Sequence, residues 1–452
     1  MQNEIKKIPD TYFYFYAFVV LLAINTILYW GFQGNYFFSD DFEWLSRSIS
    51  MNHSFTEILS VKGRDFNPVF LFLLFILLKL FGMTPEAFRI TSLLVFTFMG
   101  WMFFYILTRY FNANRFAALA AAILFNINVG ISEIVLNLSA LVYSMSLTFL
   151  LAALKFFLDK KKNLFFLFFL LAVLSKEIAI LGIIPFLFFE KDTKNRVYLL
   201  GISGGIILLR GILQWGGSGS YTNFFSIDKP VMKFYFVILR SLNVSPYSIH
   251  IVAGASLIVA MILTAFYLTK KDRGFIFFAL FLLVYALFFA FIPKLSSRYY
   301  LFPAMGAWGI LALLFNFFKE KKIVIYAVCA FICSSLVVDF TLIKKEVGDY
   351  KTLGDFSRQF LEEASAPVKR QVENHNTSPI SIEKGTYQKL AAVYQEVEDR
   401  GNLPKLFPFR ENSIGGVIQP RDFIPVILYP GKQVRIKEIK ETDMYFIVEL
   451  DY

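Results

Sequence analysis

The sequence predicts an all-α polytopic membrane protein of about 11 transmembrane helices, closed by a small C-terminal α+β domain on the extracytoplasmic side. Three observations carry this expectation. Of 452 residues, 57% are hydrophobic and 55 are Phe, with a mean hydropathy of +0.57, which is membrane-protein composition. The net charge of +11 sits in short clusters between apolar runs. From about Ile343 the apolar runs end and a charged, then strand-like, tail begins.

Clustered positive charge between spans is a topology signal, so nucleic acid is excluded as the partner. Tyr12 to Gly31 is apolar enough to cross a bilayer, and no small-residue cleavage site follows, so it reads as an anchor. The middle clusters are Arg109 with Arg115, Lys160 to Lys162, Lys191 with Lys194 and Arg196, Lys270 with Lys271 and Arg273, and Lys319 with Lys321 and Lys322. The positive-inside rule places all of them, with Lys6 and Lys7, in the cytoplasm. An even number of crossings then separates neighbouring clusters. The outer turns fall near Ser132-Glu133, at Ser175-Lys176-Glu177, at Gly216 to Ser220, and at Pro293 to Arg298.

Asn67 to Phe81 is apolar but short and carries Lys79. A full crossing there would invert every later basic cluster, so it reads as a juxtamembrane or re-entrant helix, with the next crossing from about Phe88 to Thr108. Asn163 to Glu190 allows two helices of only about 13 residues, roughly 20 Å each, short of a 30 Å core. The turn at Ser175-Lys176-Glu177 therefore lies below the outer surface and needs a wet cavity.

The domains divide at 1–343, membrane module with its first outer loop at 34–88, and 344–452, soluble tail. In the tail, Lys344 to Arg370 begins as a helix, and Phe423 to Tyr429 and Gln433 to Ile439 have strand character. Met444 to Leu450 pairs back across Glu441-Thr442-Asp443. Cys329 and Cys333, inside an apolar run, read as buried thiols, and His53, His250 and His375 are too dispersed for a metal motif.

The candidate site comes from charge that topology leaves unexplained. Phe37-Phe38-Ser39-Asp40-Asp41-Phe42-Glu43-Trp44 puts three carboxylates beside the first span, where desolvating them is costly. Asp40, Asp41, Glu43, Arg64, Asp65, Glu133, Lys176, Glu177, Lys294 and Arg298 all fall at outer ends of crossings. Mixed charge at one bilayer face suits a substrate with a lipid tail and a phosphate head: cations bind the phosphate, and a carboxylate takes a hydroxyl proton. Each group also has a simpler reading. Asp40 or Asp41 would cap a helix, Lys176-Glu177 would pair internally, and Lys294 and Arg298 would anchor to headgroups. Glu133 would mark only a turn, and Tyr299 and Tyr300 would form an interfacial belt.

Taken together, four elements resemble the membrane glycosyltransferases of the GT-C superfamily, in its protein O-mannosyltransferase and aminoarabinose transferase branch. Asp40-Asp41-Phe42-Glu43-Trp44 looks like that family's acidic pair and aromatic in the first outer loop. Arg89-Ile90-Thr91-Ser92 is similar to its Arg-x-x-Ser, Leu174-Ser175-Lys176-Glu177 to its Leu-[Ser/Thr]-Lys-[Gly/Glu], and Ser297 to Pro303 to its Arg-Tyr pattern with a following Pro. The resemblance spans roughly residues 10 to 340. It departs at Asn67-Pro68, where the family carries Lys-Pro or Pro-Pro, so a donor-contacting Lys is missing there and Arg64 is the stand-in.

The resemblance implies a polyprenyl-phosphate-sugar donor and a lipid, polysaccharide or protein acceptor at the outer face of a plasma membrane. It makes Asp40 the general base, with Asp41 orienting the acceptor or, with Glu43, the base. Lys176 and Arg298, then Lys294, stabilise the leaving phosphate. No cofactor is implied. Clustered carboxylates would admit a divalent cation, without which the branch generally works. The competing readings are a transporter or flippase, a polymerase of lipid-linked saccharides, and a scaffold.

Overall fold

The structure is a computed structural model. It describes residues 10–38, 40–52, 54–59, 66–214, 230–243, 273–292, 295–318, 322–374, 378–385, 388, 420–428, 435–441 and 445–451. The first half runs through α1 (Asp10–Leu28), α2 (Asp41–Ser50), α3 (Pro68–Phe81), α4 (Pro85–Arg109), α5 (Arg115–Asn126), the single turn α6 (Glu133–Leu136) and α7 (Leu141–Leu158). There follow α8 (Lys162–Ser175), α9 (Ile183–Phe189), α10 (Thr193–Gln214), α11 (Pro230–Ser241), α12 (Arg273–Ala290), α13 (Leu301–Phe318) and α14 (Lys322–Glu373). The tail adds β1 (Ile380–Glu383), α15 (Pro420–Leu428), β2 (Arg435–Glu441) and β3 (Tyr445–Asp451).

The polytopic all-α class is the one observed. Among the described residues, four helical stretches are long and apolar enough to cross a membrane: Pro85–Arg109, Leu138–Leu158, Arg273–Ala290 and Ser297–Phe315. A fifth results if Arg115–Asn126 and Val129–Leu136, bent by 54°, form one broken span. Tyr12–Leu28, Pro68–Phe81, Lys162–Ser175 and Glu177–Phe189 are shorter apolar helices. The segment expected to stay short, Asn67 to Phe81, does so. The turn expected at Gly216 to Ser220, and Lys270 and Lys271 of the basic cluster that follows it, lie outside the described residues.

Helices rich in Phe and Leu gain little from each other in a lipid solvent, so polar and small residues fix the packing. Asn25 Nδ2, fully buried on α1, donates to Thr97 Oγ1 at 2.9 Å on α4 and to Asn126 Oδ1 at 3.1 Å on α5. Gly100 makes room for Asn126, whose amide occupies the space a Cβ would take. Gly306 brings α13 against α12, where a Cβ would stand 2.7 Å from the Leu282 backbone nitrogen. The Ser175-Lys176 break is pinned from α7: Ser146 Oγ donates to the Ala172 carbonyl at 2.9 Å and to the Lys176 carbonyl at 3.4 Å.

The tail is α+β, with one correction. The stretch read as a strand at Phe423 to Tyr429 is helix α15, whose apolar Phe423, Ile424 and Val426 are buried. Its apolar run suits a strand in composition, but the residues pack on helices α2 and α14. The strands order β1-β3-β2, all antiparallel, with Val448 opposite both Ile380 and Ile439 and an irregularity between Ile436 and Glu438. α14 runs unbroken through the compositional change at 343/344. Cys333, expected buried, is exposed on α14, in the apolar part of that helix.

Candidate functional site

Asp41, the first residue of α2, is the hub of the segment that follows α1. Its Oδ2 accepts from Arg89 Nη2 at 2.9 Å and from the Phe38 backbone N–H at 3.3 Å, and its Oδ1 accepts from the Ser139 N–H at 3.1 Å. Arg89 also donates to the carbonyls of Tyr36 (2.9 Å), Asn35 (3.3 Å) and Leu136 (3.4 Å), and lies over the rings of Phe32, Phe37 and Phe38. Both side chains are sealed, at 0% and 1% exposure. Burial pushes the Asp41 carboxyl up, against the opposing pull of Arg89 and the two amides. A sealed group with all its partners inside the protein cannot take a proton from a substrate. It joins the chain ahead of α2, the start of α4 and the turn before α7.

Asp40 stands beside it but differs. It occupies the position before α2 in helical backbone geometry, with no side-chain cap bond to the helix, and is half-buried. Capping therefore does not account for it. Its charge acts on Arg298. Glu43 is half-buried one turn on.

Glu133 and Arg298 form the second unit. Glu133 Oε2 accepts from Ser296 Oγ (2.8 Å), Ser297 Oγ (2.6 Å) and the Arg298 backbone N–H (3.2 Å), while Oε1 lies 3.6 Å from Arg298 Nε. Glu133 is thus more than a turn residue, since it fixes the segment that presents Arg298.

Lys176 supplies a second cation. Its Nζ is 3.4 Å from Glu177 Oε1 and 5.5 Å from the centroid of the Tyr143 ring. Tyr143 meets Tyr299 edge to face at 6.0 Å, and the charges of Lys176, Arg298 and Glu177 all act on its hydroxyl. The two cations thus converge on a pair of tyrosines. Tyr299 and Tyr300 do not form an interfacial belt: Tyr299 stacks on Phe289 at 5.0 Å, and Tyr300 is buried.

Asn67, where the resembled family has a Lys or Pro, has a structural part. It is buried, and its amide, oriented to donate, reaches the Ser175 carbonyl at 3.1 Å. Arg64, Asp65 and Lys294 lie outside the described residues. Among the described residues, no group of three or more His, Cys, Asp or Glu is placed to hold a metal ion.

Sequence reasoning missed Tyr143. The available signal was a lone Tyr in the first turn of an apolar span, following Asn137 and Ser139.

Fold and site together define a multi-pass helical membrane protein with acidic and basic side chains gathered at one end of the bundle. No protein-family model matches the sequence, and no curated protein matches it. Solved structures similar to it include those of ArnT from Cupriavidus metallidurans, bound to undecaprenyl phosphate and in the apo state. Both have a TM-score of 0.44, at 14% and 15% identity, covering 85% of this chain and 75% of that one.

Proposed function

We propose that this protein is a membrane glycosyltransferase that moves a sugar from a polyprenyl-phosphate-linked donor to an acceptor hydroxyl outside the cytoplasm, in a bacterial inner membrane. The supporting observation is that Lys176 lies over Tyr143, which meets Tyr299, the chain neighbour of Arg298 in the turn that Glu133 holds. Three of the four motifs that resemble the GT-C glycosyltransferases carry Asp40, Lys176, and Arg298 with Tyr299.

In this reading the acceptor oxygen attacks the anomeric carbon while its proton passes to the Asp40 carboxylate, ionised at neutral pH. The bond between the anomeric carbon and the phosphate oxygen breaks, and the lipid phosphate leaves with the electron pair. Lys176 and Arg298 stabilise the charge that develops on it. Glu133 positions Arg298, and Glu177 positions Lys176. Asp41 takes the orienting role, holding the loop that carries Asp40. A transporter would place its charges near the bilayer midplane and work from both faces, whereas these gather at one end.

The test is transfer from radiolabelled polyprenyl-phosphate sugars in membranes with wild-type, Asp40→Asn or Arg298→Ala protein. The expected result is transfer by wild type alone, with losses of about 10²–10⁴-fold for Asp40→Asn. Equal transfer by wild type and Asp40→Asn removes Asp40 as base. Bound donor without transfer in any sample favours the transporter.

A further inference from the structure

The opposite end of the bundle carries a second built feature. From Tyr143 the chain climbs to Leu158, about 22 Å along α7, away from the tyrosine pair, and Lys160 lies in the turn beyond. There the α7–α8 turn, the α9–α10 turn and the start of α12 enclose a cavity of about 540 Å³. Lys160, Lys162, Lys191 and Arg273 line its rim, and Phe157, Phe165 and Phe277 are among the rings of its floor.

The cavity's two acids are already engaged. Asp192 pairs with Lys162 at 3.4 Å and accepts the Lys194 N–H at 3.0 Å; Glu190 accepts from the Asp192 N–H and from Asn195 Nδ2 at 3.0 Å. Among the described residues, Lys160, Lys191 and Arg273 join no ion pair. These are three exposed cations from three separate stretches of chain, gathered over an aromatic floor. Topology alone calls for basic residues on this face, but not for their convergence on one cavity. A soluble anion has no use for the Phe floor, and an apolar tail has no use for the rim.

We infer that this cavity binds an anionic phospholipid of the adjoining leaflet, its phosphate at Lys160, Lys191 and Arg273 and the upper part of an acyl chain on the phenylalanines. The site is separate from the proposed donor site and does not depend on it.

The experiment counts lipid retained by the purified full chain in nanodiscs, using a mixture of phosphatidylglycerol and phosphatidylcholine and native mass spectrometry. Wild type is expected to keep phosphatidylglycerol. A Lys160→Gln, Lys191→Gln, Arg273→Gln variant is expected to retain it about a hundredfold more weakly, each cation near an anionic head contributing about a fivefold factor. A control with equal charge loss on the same face, Arg115→Gln, Lys161→Gln, Lys194→Gln, should retain it as wild type does. If the triple variant does not fold, Lys191→Gln alone, at an exposed position, should show the single fivefold loss. Equal losses in test and control variants would reduce the effect to general surface charge and overturn the site. Displacement of the lipid by millimolar inorganic phosphate would also overturn it, in favour of a soluble anion.

Discussion

Two adjacent aspartates should separate cleanly under substitution. In Asp41→Asn, the amide oxygen can still accept from Ser139, but the new NH₂ faces Arg89 Nη2 and the Phe38 N–H, both donors. The charge-assisted bond is worth about 1.5–3 kcal/mol and the amide bond about 1. The buried guanidinium keeps only the Tyr36, Asn35 and Leu136 carbonyls. Breaking one side of such a pair costs about 3–5 kcal/mol. Asp40→Asn changes a half-buried side chain that does not cap α2, so its cost is expected well below that of Asp41→Asn, about 1 kcal/mol. Heating detergent-solubilised protein and following the monodisperse fraction, beside a transfer assay, measures both. Asp41→Asn should fall in stability first and in activity as a consequence, and Asp40→Asn in activity alone. Adding Arg89→Met to Asp41→Asn should recover part of the loss, because the pair is then removed whole. An Asp41→Asn protein as stable as wild type yet inactive would refute the reasoning and move the base to Asp41.

Glu346, past the apolar part of α14, bonds Ser132 Oγ; burial and then the neighbouring Glu133 and Asp349 charges push its carboxyl up to about 7, against that bond and the Arg240 charge. Its folded state holds the proton more tightly than the unfolded one, so the stability it contributes is complete below about pH 4.5 and is lost as pH rises through about 7. Glu346→Gln should flatten the stability profile between those values, and an unchanged slope would count against it. Gly306→Ala sets a Cβ 2.7 Å from the Leu282 nitrogen and 2.8 Å from the Phe278 carbonyl oxygen, which should cost about 1–3 kcal/mol. Gly205→Ala on α10, with nothing within 4 Å, is the control and should not lower thermal stability.

Much of this arrangement is legible in the sequence because the bilayer enforces it. Only a membrane tolerates such runs of Phe and Leu, and Lys clusters declare where each run ends. The shortness of Asn163 to Glu190 forces the break at Ser175-Lys176, which the structure keeps. In the sequence Asp40 and Asp41 are told apart only by the resemblance, because adjacent identical residues differ in what folds over them. Here the Arg89 guanidinium, 48 positions away in the chain, takes one and leaves the other. Tyr143 was hidden for a related reason: a single Tyr in an apolar span gains meaning only when Tyr299 and Lys176 arrive beside it. The strand reading at Phe423 to Tyr429 fails, since so short an apolar run has no periodicity long enough to tell a strand from a helix when its partners are themselves helices.

The 52-residue helix α14 is about 78 Å long, more than twice the thickness of a hydrocarbon core. Along its length Lys344 Nζ donates to the Ile27 carbonyl at 2.7 Å, the Tyr350 carbonyl accepts from Asn35 Nδ2 at 2.9 Å, and Phe360 meets Phe423 of α15 edge to face at 5.2 Å. It works as a mast, stayed to the chain on either side of the α1 end and to the tail. These contacts tie one helix to the chain just ahead of Asp40 at one point and to α15 at another.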